Sequence, residues 1–167
     1  LLQRIERGEL GVVGVIVAAA TTRPRRLGLL RWFRSLGWLR RFRRLDCGRG
    51  RPPDCLRGLR VTPAALEQAP SQIAVLYLHG GGYVAGSAFG YRHLAGAVAA
   101  AAQAPVLAID YRLAPEHPYP AALQDAVNAY LWLRDTGGDQ ARIVVVGDSA
   151  AGGLVMTVLQ AQRERGL

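Results

Sequence analysis

Ile143-Val144-Val145-Val146-Gly147-Asp148-Ser149-Ala150-Ala151-Gly152-Gly153 is the stretch from which the rest of the chain can be read. Four β-branched residues ending at a glycine predict a strand buried on both faces. A turn of small residues follows, and then the start of an apolar helix. Ser149 sits at the turn. A serine on a sharp strand-to-helix turn has its hydroxyl lifted above the sheet, and the crowding there demands small residues two before and two after it. Gly147 meets the first demand. Ala151 stands where the G-x-S-x-G pattern has glycine, a departure of one methyl group.

Upstream of this turn the pattern repeats. Ile73 to His79 is a continuous apolar run ending at a glycine cluster, and Pro105 to Tyr111 is another; with Arg142 to Val146 they make three buried strands. Alanine-rich Tyr91 to Gln103 predicts a helix with Leu94, Val98 and Ala101 on one face. Pro120 suits the first turn of a second helix, with Leu123, Val127, Tyr130 and Leu131 at core spacing and Gly137-Gly138 as its stop. Gly152 to Arg165 predicts a third. The strands begin at 73, 105 and 142, a spacing that fits successive βαβ units with parallel strands and right-handed crossovers. The fold class is α/β. Leu59 to Thr62 adds a short strand, and the sheet is expected to end at Ile143–Val146, leaving that apolar edge open.

Two further motifs bear on chemistry. His79-Gly80-Gly81-Gly82-Tyr83 follows directly on a buried strand. Three glycines let the backbone approach a ligand and turn N–H groups into a pocket. A phosphate cradle would want a lysine after them, and the chain contains no lysine; the dinucleotide pattern G-x-G-x-x-G is also absent. Between the glycines and the serine lies Asp110-Tyr111-Arg112-Leu113-Ala114-Pro115-Glu116-His117-Pro118-Tyr119-Pro120-Ala121-Ala122.

With these three motifs in this order, residues 73–167 resemble the hormone-sensitive-lipase-like family of α/β-hydrolases, which are serine carboxylesterases and lipases. The resemblance does not extend to residues 1–58. It implies an α/β-hydrolase fold, a mostly parallel sheet with flanking helices, cut short after the elbow helix. It further implies Ser149 as the nucleophile and Gly81, Gly82 and Ala150 as oxyanion-hole donors. His79, Gly80, Gly147 and Asp148 support the motifs, and His79 and the charges from Asp110 to Glu116 belong to the scaffold. No cofactor and no metal are implied.

In this fold the triad order is serine, then acid, then histidine. After Ser149 the chain has Glu164 as its only acid and no histidine; His79, His93 and His117 all precede it. His93 reads as a helix-surface residue and His117 as a loop residue held by its neighbours, and no paired spacing suggests metal. Without a base, serine is a weak nucleophile. The expectation is therefore the N-terminal half of a serine esterase with a small-molecule ester as substrate. The alternative is a catalytically silent hydrolase-fold protein that binds a small ligand.

Charge divides the chain. Residues 1–60 carry 15 Arg and 4 acids, whereas residues 61–167 carry 6 Arg and 8 acids, so the net +9 belongs to the N-terminal segment. The division expected is a basic amphipathic segment over residues 1–58, a candidate cap, and a catalytic half-domain over 59–167. Within the first, Leu29, Trp32, Phe33, Leu36 and Leu39 share one helical face, with Arg31, Arg34, Arg41 and Arg44 largely off it. Residues 27–45 could cover a pocket, touch an anionic membrane surface, or come from a shifted reading frame; basic charge alone is weak support for nucleic acid, and none is expected. Cys47 and Cys55 fit no disulfide framework or zinc spacing and read as free thiols. The apolar run Leu10 to Ala20 is too short to span a bilayer. It resembles a signal-peptide core, but Glu6 and Glu9 offset Arg4 and Arg7. A cytoplasmic location is expected, with secretion or membrane association as alternatives. Oligomeric state is not readable.

Overall fold

A computed structural model describes residues 12–13, 42–45, 57–63, 73–137 and 142–164. The strands are β1 (Val12–Val13), β2 (Phe42–Leu45), β3 (Gly58–Val61), β4 (Ile73–Leu78), β5 (Val106–Ile109) and β6 (Arg142–Gly147). The helices are α1 (Arg92–Ala102), α2 (Ala121–Gly137) and α3 (Ala151–Glu164). All six strands form one sheet in the order β1-β6-β4-β5-β3-β2. β1, β6, β4 and β5 run parallel, and β3 and β2 follow antiparallel at one side.

Alternation along the strands divides the core in two. Leu76, Leu78, Leu107, Ile109, Ile143 and Val145 face α2 and α3, packing on Ala126, Val127, Tyr130, Val155 and Val158. Val75, Tyr77, Val106, Ala108 and Val146 face the other way, against Ala95 and Ala99 of α1. A sheet covered on both faces accounts for the unbroken apolar runs in β4, β5 and β6.

The face of α1 named from the sequence is not the one that packs on the sheet. The buried face of α1 is Ala95 and Ala99, with Val98 only partly covered; Leu94 is 44% exposed and Ala101 is exposed too. A helix of mostly alanine carries no distinctive apolar stripe. Close approach to the sheet therefore selected the small i, i+4 pair over the larger leucine. Nor does the sheet end at Ile143–Val146: Val12 and Val13 pair parallel with Ile143 and Val144. Periodicity does not reveal such a pairing, because it joins residues more than a hundred positions apart.

The helical pattern of residues 27–45 does not extend over its last four residues. Phe42–Leu45 form a strand paired antiparallel with Gly58–Val61. Residues 27–41, Cys47 and Cys55, and the rest of the 10–20 run lie outside the described residues. Among the described residues no helix is long and apolar enough to cross a membrane.

Candidate active site

β4 and β6 are neighbours, and their register pairs Leu78 with Gly147. The glycine loop and the serine turn therefore leave the sheet side by side at its carboxyl end. At an open α/β sheet, that end is where ligands bind. Ser149 is exposed and has φ +52, a left-handed conformation that a non-glycine residue adopts only at a cost of about 1–3 kcal/mol. The turn closes through Ala151 N–H to the Asp148 carbonyl and Gly152 N–H to the Ser149 carbonyl, each 3.0 Å. A Cβ at Gly147 would stand 2.7 Å from the Ala151 carbonyl oxygen and 2.9 Å from Val155 Cγ2, so only glycine fits between strand and helix. Ala151 is fully buried in the core beside it.

The glycine loop is bound to this turn by a carboxylate. Asp148 Oδ1 accepts from Tyr77 Oη at 2.6 Å and from the Gly80 amide at 2.8 Å. Gly81 has φ +119, and a Cβ there would fall 2.2 Å from the Ala85 carbonyl oxygen, so no other residue fits. The resulting turn is closed by the amides of Val84 and Ala85 donating to the Gly81 carbonyl. Among the described residues, no hydrogen bond uses the amides of Gly81, Gly82 or Ala150. Those flanking them, Gly80 and Ala151, are both engaged. Three free N–H groups from two neighbouring loops are what an anion-stabilising pocket requires.

His79 has 1% of its surface exposed. Its ring stacks on Tyr111 at 4.3 Å between centroids and on Tyr91 at 5.6 Å, and Nδ1 lies 2.8 Å from the Gly80 carbonyl oxygen. Tyr111 in turn donates its hydroxyl to the His79 carbonyl. Asp110 accepts from the Ala88 amide at 2.6 Å, and Arg112 forks onto Asp125 of α2 at 2.9–3.0 Å. His93 is exposed on α1, and His117 is exposed in the 110–120 loop. Among the described residues Ser149 makes no side-chain hydrogen bond, to histidine or to any other group.

Burial, with the Asp148 hydrogen bond second, pushes the Tyr77 phenol far above its ordinary value; burial does the same for Tyr111. Both are donors throughout the working pH range. Sequence reasoning missed these two as anchors. Their only signal was a tyrosine where a purely apolar strand residue would serve, since a buried hydroxyl needs a partner. Asp125, the tether for Arg112, carried no signal at all.

A cavity of about 410 Å³ lies against Gly82 and Tyr83, between the 112–119 loop and helices α2 and α3, with Leu123, Leu154 and Thr157 in its walls. Ser149 is not among its lining residues, whereas Gly82 of the glycine loop is. No cluster of metal-ligating side chains occurs among the described residues.

A family profile described as the alpha/beta hydrolase fold matches residues 75–167, more than half of the sequence. The chain belongs to the α/β-hydrolase family. This α/β-hydrolase is 50% identical over 92 residues to an acetyl-hydrolase of Streptomyces hygroscopicus, a match covering 55% of this chain and 31% of the relative. It is 39% identical over 140 residues to an ethyl acetate hydrolase of Pseudomonas putida, covering 72% of this chain and 44% of the relative. Among solved structures it is similar to an esterase from the bacterial hormone-sensitive lipase family, with 41% identity and a TM-score of 0.65 over 75% of this chain and 39% of the other. The α/β-hydrolase described here thus spans less than half the length of these relatives, and it covers only part of their fold.

Proposed function

We propose that this chain supplies the nucleophile and the oxyanion donors of a carboxylic-ester hydrolase. The observation that carries the reading is Ser149, exposed on a strained turn beside the unused amides of Gly81, Gly82 and Ala150. The names of the relatives, an acetyl-hydrolase and an ethyl acetate hydrolase, agree with it.

In this mechanism Ser149 Oγ attacks the ester carbonyl carbon while a base takes its proton. The carbonyl oxygen becomes an oxyanion and accepts hydrogen bonds from the three amides; loss of one such donor costs about 2.7–4 kcal/mol of transition-state stabilisation. Collapse of the intermediate expels the alcohol, protonated by the conjugate acid of the base, and leaves an acyl group on Ser149. Water attacks in the same way, with the same base, and releases the carboxylic acid. His79 is committed to its aromatic stack, and no described histidine bonds Ser149. In this reading the base and its acid partner come from the part of the fold that the relatives have and residues 1–167 do not span.

Fluorophosphonate labelling of the full-length protein that carries these residues tests the reading. Covalent label at Ser149, lost in Ser149→Ala, is expected. Equal labelling of the alanine variant removes Ser149 from the mechanism, and ligand binding without any labelling favours a silent hydrolase-fold protein.

A further inference from the structure

The oxyanion donors come from two loops, one ending in Gly82-Tyr83 and the other, 67 residues beyond Tyr83, at Ala150, and their spacing must be held to a fraction of an ångström to serve one oxygen atom. Gly80 is bound to the serine turn through Asp148. That contact lies before the donors and leaves the far end of the glycine loop, at Gly82, to be held by something else. Tyr83 immediately follows Gly82. Its hydroxyl donates to the Ala150 carbonyl at 2.5 Å, across those 67 residues. Ala150 is itself the third donor, so one side chain joins the residue next to Gly82 to the residue that completes the pocket.

Tyr83 is fixed at its other end as well. Its carbonyl accepts from the Ala114 amide at 2.8 Å, and its backbone sits at φ +64, in the left-handed region that non-glycine residues avoid unless surrounding structure imposes it. The ring is half-buried, against the cavity wall. The Ala150 carbonyl also accepts from the Gly153 amide at 3.1 Å, so the fold of α3 continues without the phenol. The tyrosine hydroxyl is an added restraint on Ala150 rather than the bond that makes the helix. Gly153 keeps room for it: a Cβ there would meet only the Tyr83 hydroxyl, at 3.1 Å.

We propose that Tyr83 is a positioning residue that locks the Gly82 and Ala150 amides into one oxyanion pocket, with Gly153 kept as glycine to admit its hydroxyl. The inference rests on the ester-hydrolase reading. Because the pocket serves the tetrahedral intermediate more than the bound ester, loosening it lowers kcat and leaves KM nearly unchanged.

The test uses the full-length enzyme with p-nitrophenyl acetate as substrate and a trifluoromethyl ketone as mimic of the tetrahedral intermediate. Tyr83→Phe is expected to lower kcat and ketone affinity together by at least tenfold. KM should stay within twofold, and stoichiometric fluorophosphonate labelling at Ser149 should be retained. Gly153→Ala supplies the second arm, because it crowds the hydroxyl from the helix side while alanine is the better helix residue. It should match or exceed the parent melting temperature and yet show the same kcat loss. Unchanged kcat and ketone affinity in Gly153→Ala overturns the proposal, even if Tyr83→Phe fails to fold. So does a rise in KM at constant kcat, or a kcat loss that merely follows a fallen melting temperature. Labelling that does not depend on Ser149 would instead defeat the underlying reading, whatever the two variants do.

Discussion

At the residue scale the Asp148 carboxylate joins the glycine loop to the serine turn, with Tyr77 and the Gly80 amide as its two partners. Tyr77 is 1% exposed, so its hydroxyl has no access to bulk water if the carboxylate is removed. A buried donor left unpaired costs about 1–3 kcal/mol. The phenol's folded-state pKa is raised above the unfolded value of 10.0, chiefly by burial. Its contribution to stability is therefore complete below pH 10 and drains away as pH rises beyond it. The slope is about 1.4 kcal/mol per pH unit per phenol. Tyr111 adds a second such group. Urea midpoints of the full-length protein at pH 9 and pH 11 should fall less in Tyr77→Phe than in the parent. An equal fall in both would mean that Tyr77 is not held as the neutral donor to Asp148.

At the element scale the decisive contact is that between the end of β6 and the first turn of α3. Val155 and the Ala151 carbonyl lie so close to Gly147 that a single methyl group has no room. Gly147→Ala must push helix from strand, and an over-packed core site of this kind costs typically 1–3 kcal/mol. The displacement would also carry Ser149 and Ala150 away from the glycine loop. Gly147→Ala is thus expected to lower both the melting temperature and kcat. Ala151→Gly should be tolerated, whereas Ala151→Leu should prevent assembly, since Ala151 has no exposed surface. Full activity in the leucine variant would show that the turn does not pack as described.

At the scale of the whole molecule, the sheet of this chain has a short outer strand. β1 covers only Ile143 and Val144 of the six-residue β6. Val145 and Val146 have no described strand on that side, yet both are buried. Among residues 1–167 the histidines are His79, His93 and His117, and in the proposed reading none of them serves Ser149 as base. Residues 1–167 expressed alone are expected on that reading to leave p-nitrophenyl acetate intact. Serine-dependent turnover by a purified monomer of this length would require a base among His79, His93 and His117, and would overturn that reading.

Local sequence was sufficient for the parts of this protein whose pattern is local. Unbroken apolar runs meant parallel strands covered on both faces, and the glycines at the ends of β4 and β6 marked loops that leave the sheet at its carboxyl end. The small residues around Ser149 indicated a turn too tight for larger ones, and β4, β5, β6 and the three helices followed at their expected places. What only the tertiary structure decided are pairings between distant residues. Tyr77 with Asp148, Tyr83 with Ala150, Arg112 with Asp125, and Val12 with Ile143 leave no periodic trace, because each depends on how the strands are ordered in the sheet. The face of α1 belongs with them: alanines present nearly the same surface all round, and the distance to the sheet chose which of them to bury.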